Sequence, residues 1–259
     1  MDDVLHTQPA NVEMPVAKAQ IGGRAIVKLP FGYLDNGIMR DEVEIREMTG
    51  NEEELIADAK IPLIERISRV IGNCVEKIVD ITDKNIIQKA VKQMSTEDRT
   101  CLVVNLRILS LGPLYDFIAT CTSCSKSVKA TVDLSTLEVT PAYSKETLFQ
   151  DIVLPSGKKC KIKVQQGVDE ETLDKFTSKN KNKILTAAIY LRVAELDDKK
   201  PTMEEITNLS WADRTFLRNQ FDKLEGGLDM EISITCAGCD TDFTSNINIG
   251  QAEFFFPKG

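Results

Sequence analysis

Four of the seven cysteines fall into two Cys-x-x-Cys pairs, Cys121/Cys124 and Cys236/Cys239, set 115 residues apart. A thiol pair at that spacing can supply half of a tetrahedral metal site, close a short disulfide, or run dithiol redox chemistry. Two pairs brought together give the four-sulfur set that zinc prefers. The predicted centre is one structural Zn2+ per chain, held by Cys121, Cys124, Cys236 and Cys239. Four thiolates leave no open position for a substrate or an activated water, so such a centre clamps and does not catalyse. Redox chemistry favours a Cys-x-x-Cys that opens a helix; here β-alternation follows both pairs, and Asp240 and Asp242 flank the second. Two separate short disulfides are the other alternative, against which the odd cysteine count argues.

Other chemistry is sparse. Cys74, Cys101 and Cys160 sit in apolar helical or strand contexts and read as small core residues. His6 is the single histidine, which excludes a His-based triad or a His-rich metal centre. No phosphate-cradling glycine loop and no Gly-x-Ser-x-Gly is present, so neither a small-molecule substrate nor a nucleotide is expected. The acidic run Glu52 to Glu54 reads as a solvated helix start. A net charge of −8 offers no broad basic face for phosphates, which disfavours nucleic acid as a partner. No secretory leader is apparent and the longest apolar run, 101–121, is broken by Asn105, Arg107 and Asp116; a cytosolic site of synthesis with no spanning segment is expected.

The elements that must position the thiols come as a repeat. Residues 77–134 align on 192–249 without a gap, with 12 identities in 58 columns. These include Asp83-Lys84 with Asp198-Lys199, Ser95 with Ser210, Asp98-Arg99-Thr100 with Asp213-Arg214-Thr215, and Gly112 with Gly227. Upstream, Leu29-Pro30-Phe31-Gly32 and Leu154-Pro155-Ser156-Gly157 each lie in a predicted strand pair. Helical periodicity marks Ile64, Ile67, Ile71 and Val75, and again Ile184, Ala187, Ala188 and Leu191, as core faces. Ser95-x-x-Asp98 and Ser210-x-x-Asp213 predict capping boxes opening the next helices, whose buried stripes are Leu102, Leu106, Leu109 and Leu217, Phe221, Leu224. Gly112 and Gly227 then end those helices. Alternation on both sides of each thiol pair places it at a β-hairpin tip.

The expected fold class is α+β: internally duplicated, with two pseudo-twofold-related halves, each a strand pair, a helical segment and a zinc-knuckle β-hairpin. The expected divisions are a flexible tail at 1–23, a first half at 24–140 and a second half at 141–259. Three aromatics close the chain, Phe254, Phe255 and Phe256, where termini are ordinarily polar. Two readings are open for them: docking on this chain's own body, or anchoring in a neighbour's pocket.

Taken in order, the Leu-Pro-x-Gly starts, Arg46-Glu47-Met48-Thr49-Gly50-x-Glu52-Glu53-Glu54, Asn105-Leu106-Arg107-x-Leu109-Ser110-x-Gly112, the two cysteine pairs and Phe254-Phe255-Phe256-Pro257 resemble the T4-type phage baseplate protein family. The resemblance implies a non-enzymatic hub component or hub-assembly factor of a contractile tail, found in the virion baseplate or in host cytoplasm during assembly. Its partners would be other tail proteins, and its zinc positions map onto the same four cysteines. The competing class is a zinc-ribbon adaptor in transcription or nucleic-acid-associated complexes, which calls for basic or aromatic residues on the hairpins; they offer Lys126 and Lys129 on one, Asp240 and Asp242 on the other.

Overall fold

The computed structural model describes residues 12–14, 18–20, 23–140, 147–249 and 252–256. Its first part opens with two short strands, β1 (Val12–Glu13) and β2 (Lys18–Gln20), inside the segment expected to be a tail. Both are held by backbone pairing to later strands, and Met14 between them is buried, which is how a stretch without a sequence period becomes structured. Residues 1–11, including His6, lie outside the described residues.

Strands β3 (Arg24–Asp35) and β4 (Ile38–Arg46) form a long antiparallel pair, with alternating Ala25, Val27 and Leu29 turned into the core. Helices α1 (Gly50–Ala57) and α2 (Leu63–Cys74) follow, then β5 (Val75–Ile78), which completes the sheet order β2-β3-β4-β5. Next come α3 (Lys84–Gln93) and α4 (Thr96–Leu111). From Cys101 to Arg107 every residue of α4 is buried, so this helix is the axis of the first core and its apolar residues run all round it. The first hairpin, β6 (Leu114–Thr120) with β7 (Ser127–Asp133), leads to β8 (Glu138–Thr140).

The same order then recurs in shorter elements. Strands β9 (Phe149–Val153) and β10 (Lys159–Lys163) precede α5 (Gly167–Lys179) and α6 (Ile184–Arg192), and β11 (Val193–Leu196) completes the sheet β9-β10-β11. Helices α7 (Met203–Thr207) and α8 (Trp211–Glu225), then β12 (Gly227–Leu228), lead to the second hairpin, β13 (Glu231–Thr235) with β14 (Asp242–Asn246). A short helix, α9 (Ala252–Phe255), ends the described chain. No helix among the described residues is long and apolar enough to cross a membrane.

The fold is mixed α+β, and several local expectations change. Ser95 and Ser210 cap α4 and α8 through the N–H groups of Asp98 and Asp213, at 3.0 and 3.1 Å. The two carboxylates do not close capping boxes. Asp98 accepts from the N–H groups of Phe31 and Gly32 at 2.8 and 2.9 Å, and Asp213 from that of Ser156 at 3.0 Å. Each helix start thus grips a Leu-Pro-x-Gly segment whose turned backbone leaves donors unpaired in its own sheet. Gly226, not Gly227, caps α8, with φ 64. At the constant spacing of 115, Asp83 falls on Asp198, yet Asp83 caps α3 while Asp198 lies in the tight turn after β11 with φ 61. The alignment therefore needs a shift upstream of the serine caps. The predicted core residue Ile184 starts α6 and is exposed; Ala187 and Ile189 carry its buried face. Val75, expected on the helix face, begins β5.

Candidate metal centre

Both cysteine pairs sit where alternation placed them, at the turns of β6–β7 and β13–β14. Their local geometry matches: Cys121 donates to Lys126 and Ser125 to Cys121 in the first, Cys236 to Thr241 and Asp240 to Cys236 in the second. The residue after the second cysteine, Ser125 or Asp240, takes the left-handed conformation, φ 58 and 53, which folds the turn back over the sulfurs. Ala119, Ile234 and Phe243 pack the hairpins together in a small core of their own, with Cys121 and Cys236 at its end.

That packing brings the four sulfurs into one cluster. Cys121 Sγ lies 3.7 Å from Cys239 Sγ, Cys124 Sγ lies 3.7 Å from Cys236 Sγ, and all four fall within 4.8 Å of one another. Sulfurs placed about 2.3 Å from a tetrahedral ion are separated by about 3.8 Å. The two short contacts join cysteines of different hairpins, so the cluster exists only when the hairpins meet. Cys121 and Cys236 are buried, Cys124 half-buried and Cys239 exposed. The Gly238 N–H points at Cys236 Sγ, 3.4 Å away. A Cβ at Gly238 would stand 2.9 Å from Cδ of Lys126, whose stem crosses from the first knuckle onto the second and would have to swing aside.

The protein biases two of these thiols, Cys121 and Cys239, toward the thiolate. Backbone N–H groups of Cys124 and Ser123 pull Cys121 down, and Thr241 draws Cys239 down to about 6, by its side chain and its backbone. Cys124 is pushed up to about 11 by its neighbours Cys239, Cys236 and Cys121, although the Lys126 N–H opposes this. The remaining cysteines behave as core residues. Burial first, then the Glu52 carboxylate, pushes Cys74 up to about 12, and burial with Asp197 nearby does the same for Cys160. Cys101 is likewise raised by burial.

A family model for the T4 bacteriophage base plate protein matches residues 26–256. The chain belongs to that family. It is a structural phage protein family and not an enzyme family, so this base plate protein has its place in the virion tail baseplate, with other tail proteins as its partners. No curated protein and no solved structure matches the chain.

The terminal aromatics are now placed as well. Phe254 is fully buried in the first core, edge-on to Tyr115 at 5.2 Å, and its carbonyl accepts from Arg107 Nε at 3.0 Å. Phe255 and Phe256 are half-buried. Sequence reasoning missed one feature of this base plate protein. Glu52 is buried, not solvated: Arg46 approaches both its oxygens at 3.0 Å, and Thr49 donates to it from both its backbone and its side chain at 2.9 Å. The signal was present in Thr49-x-x-Glu52, a capping-box spacing. Arg99 was expected to form an inter-helix ion pair, and it lies buried and donates to Glu170 at 3.1 Å, joining α4 to α5 across 71 residues. Nothing local in the sequence marks its partner.

Proposed function

We propose that this base plate protein is a non-enzymatic interaction component of a contractile-tail hub, retained in the particle or used in assembling it. In this reading one structural Zn2+ joins its two halves through Cys121, Cys124, Cys236 and Cys239. The observation that carries it is the sulfur cluster, whose short contacts both run between hairpins. A zinc there adds about 10 kcal/mol of binding free energy to the folded state and fixes two elements more than a hundred residues apart.

The proposed halves, 24–140 and 141–259, are read as copies of one unit related by a pseudo-twofold. Four sets of contacts support this beyond element order. Asp98 and Asp213 each grip a Leu-Pro-x-Gly segment. Arg99 and Arg214 each donate to a carbonyl eight residues earlier, Val91 and Ile206. Arg46–Glu52 and Lys163–Asp169 are ion pairs of the same spacing at the starts of α1 and α5. The hairpins share one register, Ile118 opposite Lys129 and Ser233 opposite Thr244.

Two measurements test the reading. Native mass spectrometry of the purified chain should give one zinc per chain, released together with four titratable thiols; a metal-free chain with no such thiols rules the centre out. Quantitative mass spectrometry of purified particles against their lysate should find the chain retained at a fixed ratio to other hub proteins. Abundance in the lysate with absence from particles selects the assembly factor instead.

A further inference from the structure

The register of β6 decides where its backbone points. Cys121 donates to Lys126 and Leu134 to Pro113, so the odd-numbered residues of β6 exchange bonds with β7. Asp116, Ile118 and Thr120 turn their N–H and C=O groups the other way, and among the described residues these groups have no hydrogen-bond partner. Proteins ordinarily blunt such an edge with proline, lysine or a bulge. Strand β6 has none of these, and instead exposes Leu114 (61%) and Ile118 (69%). The second hairpin is an internal control. Three and seven residues before its first cysteine stand Ser233 and Asp229, polar where the first hairpin is apolar.

Beside β6 lies a groove of about 1210 Å³, lined by residues 115–120, by Lys129, Ala130 and Thr131 of β7, by residues 245–249, and by Glu97 and Thr100 of α4. Glu97 is half-buried there and receives the Leu228 N–H. Arg192 feels the Glu97 charge but makes its ion pair with Glu225, and among the described residues no cation forms an ion pair with Glu97. Burial first, then the Glu225 charge, pushes it up to about 7. The site therefore combines a free strand edge, an exposed apolar side chain and a carboxylate that, among the described residues, is in no ion pair.

We propose that this groove docks an extended segment of a neighbouring tail protein, added as a third strand to β6, with an apolar side chain against Ile118 and a lysine or arginine reaching Glu97. The segment is of β-augmentation type, in which the backbone ladder supplies affinity and alternate side chains supply specificity. A second copy of this chain is a poorer occupant, because residues 245–249 bound the space beside β6 and two chains of net charge −8 repel each other. The inference rests on the reading of this chain as an assembly component.

The test uses the full zinc-loaded chain and two capped strand peptides, about eight residues long to match β6. One alternates valine with lysine and threonine; in the other, glutamate replaces lysine. Hydrogen exchange should show the lysine peptide protecting the amides of Asp116, Ile118 and Thr120 while those of Glu231, Ser233 and Thr235 stay unchanged. The lysine peptide should bind roughly tenfold more tightly than the glutamate peptide. Ile118→Pro should abolish protection, and because that N–H faces away from β7, the intrachain ladder and the zinc content should survive. Glu97→Gln should keep strand addition and lose the preference for lysine. No protection at millimolar peptide, equal binding of both peptides, or protection that rises with protein concentration alone would overturn the proposal, the last by assigning the edge to a second copy. None of these results alters the ratio of this chain in particles, on which the assembly reading is judged.

Discussion

The two Leu-Pro-x-Gly segments make the same contact in different settings. In the first, Pro30, Phe31 and Gly32 form an irregular stretch within β3, and the strand pair continues beyond it to a turn at Asn36-Gly37. In the second, Pro155, Ser156 and Gly157 are the hairpin turn itself, closed by Leu154 and Lys158. The longer hairpin sends Phe31 into the second core, beside Leu154 and Phe221, whereas Ser156 has no such reach. A shared polar contact thus fixes the frame, and one apolar side chain decides which core the extension serves. Phe254 makes the reverse crossing, from the end of the chain into the first core. The difference teaches that the cores are tied together by exchanged aromatics as well as by sulfur.

Six substitutions break or sharpen that comparison. The largest effect belongs to the cysteines. Cys121→Ser and Cys236→Ser each leave the same centre with three ligands, so both should lower zinc affinity by several orders of magnitude and the melting temperature by equal amounts. If only one mattered, in calorimetry with metal titration, a shared site would be wrong. Next is the gripping carboxylate. Asp98→Ala strands two buried N–H groups and should cost about 4 kcal/mol in urea unfolding, against about 1 kcal/mol for Asp213→Ala, which frees one N–H of exposed Ser156 that water can satisfy.

Glu52 comes third. Burial opposes its charge, but the Arg46 and Thr49 hydrogen bonds win and hold it down at about 2. A folded value below the unfolded 4.5 gives stability that is present above pH 4.5 and lost as pH falls toward 2. Glu52→Gln should cost about 3 kcal/mol at pH 7 and almost nothing at pH 2. The smallest effect, with the opposite sign, is at Glu97. Its folded value near 7 exceeds the unfolded 4.5, so its contribution is fully present below pH 4.5 and is lost as pH rises through 7. Because Glu97 is only half-buried and solvent screens its charge, Glu97→Gln should stabilise the chain at pH 8 by only about 1 kcal/mol and leave it unchanged at pH 4.

The legible parts were those whose signal is local. Alternation around Cys121 and Cys236 placed both thiol pairs on hairpin tips, Ser95 and Ser210 marked helix starts, and the periodic Leu217, Phe221 and Leu224 form a buried face as read. Strands β1 and β2 were invisible because two or three residues carry no period and are held by backbone bonds to distant partners. Asp98 showed the limit of a local rule: its spacing from Ser95 fits a capping box, but the unpaired N–H groups of Phe31 and Gly32 compete for the same carboxylate and take it.

By itself the sequence determined the class of the molecule: an acidic chain without catalytic histidine chemistry, carrying two matched thiol pairs on hairpins. Tertiary structure alone decided that the four sulfurs meet, that Phe254 turns inward, that Arg99 reaches Glu170, and that β6 keeps a free edge. The reason is physical. Periodicity and capping act over a few residues and are written in neighbouring side chains. A sulfur–sulfur approach, a buried ion pair or an unpaired strand edge depends on which surfaces pack together, and that is settled only by the summed burial and hydrogen bonding of the whole chain.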